Sequence, residues 1–259
     1  MRMMKKVLGT VTVLALSASL LAGCGSTAAS PVSSAASTAA ESTTSSVVSE
    51  TTSAAADENV AAAAQLLNDL TGSYQELWPV ILADEYQQTW LDDCTAIVGE
   101  ENAEAAFEKL SSMVTSDVYG EDAVEAYANG GGAYFCGFTN SLATLTFDGE
   151  TSTISGTDKD GNVLFSHTYH YIGMEPVRGL YEFQSDDADS GEFTYFFLAP
   201  DTSAETYHIE FRYGSDAEAL SQYDTGEYAY WLASGISTDC DQTMIDNCIE
   251  LFCTENLAG

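Results

Sequence analysis

The hydrophobic period of this chain changes once, at Gly130-Gly131-Gly132, and that break constrains the fold more than any other feature. Before it, apolar residues recur at helical spacing. Asn59 to Leu70 starts at a cap candidate and continues in alanines and leucines. Glu101 to Met113 sets Ala105/Ala106, Leu110 and Met113 on one face, with carboxylates in the first turns where the helix dipole favours them. Asp122 to Tyr127 opens a third helix, which Asn129 and the three glycines stop. After the glycines the period is two. Tyr134 to Phe138, Ser141 to Phe147, Ser152 to Thr157 and Val163 to Ile172 read as short strands. Gly179–Gln184 pairs with Glu192–Ala199 in a hairpin, and Thr206 to Tyr213 follows Pro200. Consecutive short antiparallel strands with turn signals between them predict an up-and-down barrel or a sandwich. The chain then returns to a helix over about 239–255, capped near Asp239 or Asp241, with Ile245, Cys248, Ile249 and Phe252 on one face.

Composition narrows the partners. Seven Lys+Arg stand against 40 Asp+Glu, a formal net charge of −33. Nucleic-acid binding needs cations to replace counterions along the phosphates, and this chain has almost none. Docking on an anionic membrane through basic residues fails for the same reason. Hydrophobic residues at 45% are enough for a core, so the acidity does not imply disorder throughout.

Three of the seven basic residues, Arg2, Lys5 and Lys6, precede an apolar run from Val7 to Leu21. That is the layout of a secretory signal over 1–23 and too short for a permanent span. It ends in Leu21-Ala22-Gly23-Cys24, which resembles the bacterial lipobox and makes Cys24 the expected lipidation site. From Cys24 to residue 56 the chain is mostly Ser, Thr and Ala with no apolar period. It reads as a disordered tether between a lipid anchor and one domain over 57–259. Within that domain the helical part is expected at about 57–130 and the β part at about 133–213.

Few residues suggest chemistry. Asp158-x-Asp160-Gly161 and Asp187-x-Asp189-x-Gly191 place carboxylates at alternate positions as calcium loops do, but neither has the twelfth-position Glu, and tight turns need the same residues. His167 and His170 are three apart on a strand, so they point to opposite faces and cannot share one ion. Five cysteines follow Cys24, namely Cys94, Cys136, Cys240, Cys248 and Cys253; no pair has zinc-knuckle spacing, which leaves buried thiols or one distant disulfide. No nucleophile elbow, phosphate-cradling loop or His-Glu-x-x-His occurs, and the chain is expected not to be an enzyme.

Several segments resemble the ZinT (YodA-like) family of exported metal-binding proteins. They are Leu70-Thr-Gly-Ser-Tyr-Gln-Glu-Leu-Trp-Pro-Val-Ile-Leu82, Val177-Arg178-Gly-Leu-Tyr-Glu-Phe183 with Gly191-Glu-Phe-Thr-Tyr195, and Ala199-Pro200 with Tyr207-His208-Ile209 and Gly214-Ser-Asp. The resemblance covers about residues 68–252. It implies a lipocalin-like (calycin) antiparallel barrel with a helical insert and N- and C-terminal helices, a mainly β α+β fold. It also implies zinc as ligand, and a metal importer as partner. The family's three zinc histidines fall here on Phe196, on Thr206 or Glu205, and on His208, so only His208 is retained. Thr206, His208 and Glu210 share one face of a strand. If that face points into the barrel, His208 and Glu210, with Glu205, would make a sparse oxygen/nitrogen site, or His208 would lie in a core where Phe196 fills the vacated volume. Two other readings remain: a barrel holding a small organic ligand against Phe196, Tyr207 and the tyrosines, and an inert surface module.

Overall fold

A computed structural model describes residues 47–199 and 208–258, all within one unit spanning Ser45–Gly259. Eight antiparallel strands close into a barrel in sequence order: β1 (Gly72–Glu76), β2 (Thr144–Asp148), β3 (Thr153–Thr157), β4 (Val163–Met174), β5 (Tyr181–Ser185), β6 (Tyr195–Leu198), β7 (His208–Gly214) and β8 (Ala233–Ser237). The seam is β1 against β8, with Tyr74 opposite Ser237 and Glu76 opposite Gly235. Closure leaves no sheet edge exposed. This is the barrel-plus-helices class expected from the sequence.

Alternation decides what lies inside. Tyr74, Leu145, Phe147, Ile154, Phe165, Tyr169, Phe183, Phe196, Phe211 and Tyr213 form one core cluster, so the interior is built largely of rings. Their bulk is accommodated by small residues on neighbouring strands. At Gly156 an added Cβ would sit 2.4 Å from Phe165 and from Leu142. A larger residue there would displace the ring, and the β3–β4 register shifts beside it, between Gly156 and Thr157.

The helices build a second cluster. α1 (Val47–Asp69) precedes β1; α2 (Leu77–Ile81), α3 (Gln87–Val98), α4 (Ala103–Ser112) and α5 (Glu121–Ala128) lie between β1 and β2; α6 (Ala217–Leu220) lies between β7 and β8; α7 (Gln242–Leu257) closes the chain. Trp90 is fully buried, donates its indole N–H to the Ile81 carbonyl at 2.7 Å, and meets Phe107 and Phe252. Ile236, on the outward face of β8, belongs to this cluster with Cys136, Cys248, Ile249 and Cys253. The helical lobe therefore packs on the outside of the barrel at β8. Asp241 caps α7 by accepting from the Met244 N–H at 3.0 Å.

Several expectations change. The barrel takes its first and last strands from outside 133–213, because β1 lies in the helical front and β8 follows the last strand read from the pattern. No strand forms over 134–138: Phe135 makes only isolated bridges, and Phe135 and Cys136 run beside residues 230–234 through backbone bonds to Tyr230, Leu232 and Ser234. β8 already has β7 and β1 on its two sides, so this segment can only accompany the approach to it. The helix expected from Asn59 is longer and begins at Val47, inside the stretch read as tether. The signal sequence, Cys24 and Glu205 lie outside the described residues.

Candidate functional site

β7 carries His208, and its two faces go to different neighbours. Ile209, Phe211 and Tyr213 point into the ring stack, where Tyr213 and Phe196 lie opposite each other in register with centroids 5.4 Å apart. His208, Glu210 and Arg212 therefore face the other way. His208 stands opposite Ile236 and Glu210 opposite Ser234, both on the side covered by the helical lobe. The 208/210 face does not point into the barrel. Phe196 and His208 also project to opposite faces of the sheet, so Phe196 cannot fill a volume vacated beside His208.

Both His208 and Glu210 are half-buried. The Cys136 thiol lies close enough to feel the Glu210 charge. Burial first, and then that carboxylate, push the thiol up to about 12, against hydrogen bonding with Ser234. Ser234 and Cys136 are nearly inaccessible, at 2% and 7%. The neighbourhood of Glu210 thus offers one carboxylate, one protonated thiol and one hydroxyl. Among the described residues no three His, Cys, Asp or Glu side chains lie together as a metal-holding group. His208 and Glu210 are the two donors β7 presents on one face; Glu205 stands three residues before His208 in sequence.

Arg212, next on the same face, is fully buried, a feature the sequence reading passed over. Its guanidinium donates to the carbonyls of Leu220, Gln222 and Tyr228 and lies 4.4 Å from the centroid of Tyr223. Burial depresses it to about 10. Arg178 lies over the same Tyr223 ring at 4.3 Å and donates to the Tyr134 hydroxyl at 3.1 Å. Glu175, only 1% exposed, accepts from the backbone N–H groups of Val177 and Arg178 and lies 3.4 Å from the Tyr223 hydroxyl. Burial and Glu175 push that phenol up to about 12. Two of the four basic residues beyond the first six thus meet at one tyrosine. Their scarcity was the available signal: in so acidic a chain, an Arg within an aromatic strand (Phe211-Arg212-Tyr213) suggests burial. This cluster is a clamp that ties the connection after β4 and the segment after α6 to β7.

The barrel interior is occupied by its own rings. Phe165 stacks on Phe193 at 4.0 Å, Phe211 lies 5.8 Å from Tyr213, and Trp231 meets Tyr213 edge-on at 5.1 Å. Phe196, Phe211, Tyr213 and Trp231 are each 0% exposed. These rings pack on one another along β4, β6 and β7.

The remaining polar motifs resolve locally. His167 pairs with Asp187 at 2.7 Å and His170 with Asp186 at 2.6 Å, so the two rings serve separate carboxylates. Asp158 accepts from the Asp160 and Asn162 N–H groups and from the Asn162 side chain, with Gly161 at φ +81°, which makes that acidic segment a self-closed turn.

No family model matches the chain, and no curated protein matches it. Among solved structures it is similar to the Zn(II)-bound ZinT-like domain of AdcA from Streptococcus pneumoniae, at 15% identity over 71% of this chain and 89% of that one, with a TM-score of 0.45. It is also similar to Zn(II)-bound AdcA from Streptococcus pneumoniae, at 14% identity over 72% of this chain and 35% of that one, with a TM-score of 0.43. At these identities the likeness is one of fold.

Proposed function

We propose that this chain is an extracytoplasmic, lipid-anchored barrel that captures a divalent cation, zinc first, for acquisition or homeostasis, and that it catalyses nothing. The observation that carries the reading is that His208 and Glu210, an imidazole and a carboxylate, share one face of β7; that face is the outward one, so the proposed site lies under the helical lobe and not inside the barrel. Imidazole nitrogen and carboxylate oxygen are both zinc donors, and zinc sites normally use three or four protein ligands. The described residues therefore fall one short of a zinc set. In this reading Glu205, which lies outside the described residues, would supply the third donor, giving one imidazole and two carboxylates. Such an oxygen-rich set binds zinc more weakly than three histidines do and admits harder ions. The net charge of −33 draws cations toward the surface without choosing among them. Anchoring belongs to Cys24. Among the described residues no helix is long and apolar enough to cross a membrane. A metal importer is the partner this role requires.

Calorimetric titration of residues 45–259 with zinc chloride tests the reading. Wild type is expected to bind, and His208→Ala and Glu205→Gln to weaken binding at least tenfold by loss of a ligand. Equal binding by wild type and His208→Ala rejects the site. For the anchor, Cys24→Ala is expected to release the protein from the membrane fraction, and retention there rejects it. The ring-packed interior favours one other reading, a rigid surface module with no small ligand; wild-type protein that takes up no zinc would leave that one standing.

A further inference from the structure

We propose that Cys94 and Cys253 form a closable thiol pair, a site of disulfide modification that crosslinks α3 to α7. The two Sγ atoms lie 3.9 Å apart, although the residues are 159 positions apart in sequence. Both are 0% exposed within the helical cluster, Cys94 one turn after Trp90 in α3 and Cys253 one turn after Ile249 in α7. No repacking of the lobe is needed to bring them together; the sulfurs already touch, and a bond requires a further approach of about 1.9 Å, within the reach of side-chain rotation and small helix shifts. Cys248 and Cys253, by contrast, lie five positions apart on the single helix α7.

The chemistry is thiol–disulfide exchange with a disulfide donor, the class of oxidant an exported chain meets. One cysteine thiolate attacks the donor disulfide, forms a mixed disulfide and expels one donor thiolate. The second cysteine, losing its proton, attacks the mixed disulfide at the protein sulfur and expels the second donor thiolate. Two protein thiols and one donor disulfide become one protein disulfide and two donor thiols. Either cysteine can attack first, since each lies four residues before the end of its helix, Cys94 before Val98 in α3 and Cys253 before Leu257 in α7. Burial raises both thiols, so exchange is slow while the lobe is closed and proceeds when the end of α7 opens. The proposal is independent of the zinc reading and requires only the donor.

The test uses the full chain carrying Cys24→Ala, which leaves the five cysteines of the domain, purified and reduced, incubated with oxidised glutathione over a series of urea concentrations below unfolding, then alkylated and digested. The expected product joins the Cys94 and Cys253 peptides with the loss of two hydrogens, while Cys136, Cys240 and Cys248 remain alkylated. Its rate is expected to rise with urea, and the oxidised chain to unfold at a higher urea midpoint than the reduced one. Cys94→Ser should trap glutathione on Cys253 and show no shift in midpoint. Alkylation of both Cys94 and Cys253 at every urea concentration would overturn the proposal, as would a mixed disulfide that persists in the wild type or a crosslink between any other pair.

Discussion

The two faces of β7 show two ways of burying a strand. The inward side, Ile209, Phe211 and Tyr213, is buried by other strands of the same sheet through ring contacts. The outward side, His208, Glu210 and Arg212, is covered by segments remote from the sheet, and its burial grades from half-buried His208 to fully buried Arg212. Apolar packing is non-directional, so the first side tolerates any ring that fits. The second side needs named acceptors: three carbonyls of the 220–228 segment converge on the two Nη groups of Arg212, while its buried Nε meets none. One face is therefore generic and the other specific.

The largest expected effect comes from breaking the generic side. Phe211→Ala removes a fully buried ring that contacts Phe138, Phe196 and Tyr213, and should cost about 4 kcal/mol of unfolding free energy, read by urea denaturation. Phe211→Leu should recover more than half of that, because shape matters less than volume inside the stack.

Arg212→Met tests the specific side with similar volume. It leaves the carbonyls of Leu220, Gln222 and Tyr228 without their donor and should cost about 3 kcal/mol. Arg212→Lys should recover little, since one ammonium cannot reproduce the planar fork. If Arg212→Lys equals wild type in stability, the contrast between the faces fails.

Alkaline pH loosens the same clamp. Tyr223 and Tyr228 are pushed up to about 12, each by burial first, so in the folded state they hold protons that the unfolded chain releases near 10. Their contribution is complete below pH 10 and is lost as pH rises toward 12. Arg212, depressed to about 10, opposes this over part of the window, as the folded state releases that proton first. Two phenols against one guanidinium give a net fall. Stability measured by denaturation should decline between pH 10 and 12, and Tyr223→Phe should make the decline shallower.

His208→Ala should be the mildest for stability, within about 0.5 kcal/mol, as expected for a half-buried side chain away from the ring stack and the arginine clamp. A thermal midpoint close to wild type, combined with a tenfold loss of zinc affinity, would place function on the outward face. A large stability loss would make His208 a packing residue instead.

Much of the barrel was legible because alternation is a local signal. β3 and β4 were readable from Ser152 to Ile172, and the hairpin from Gly179 to Ala199 gave β5 and β6. Strands β1 and β8 were not: Gly72–Glu76 and Ala233–Ser237 are five residues each, contain glycine or serine, and are strands because they pair with each other across the seam. α3 carries a helical apolar spacing at Trp90, Cys94, Ile97 and Val98 that went unread beside its polar first turn. Residues 134–138 have the alternation of a strand and lack a free partner.

The sequence by itself determined the change from helix to strand at the three glycines, the antiparallel order and the acidic surface, because period, turn residues and charge act within a few positions. Only the tertiary structure decided which face of β7 looks inward, where the barrel closes and which cysteines meet. Those depend on partners from 17 positions away, as for Phe196 and Tyr213, to 163, as for Tyr74 and Ser237, and nothing in the local pattern of a strand states which side of it the rest of the chain will cover.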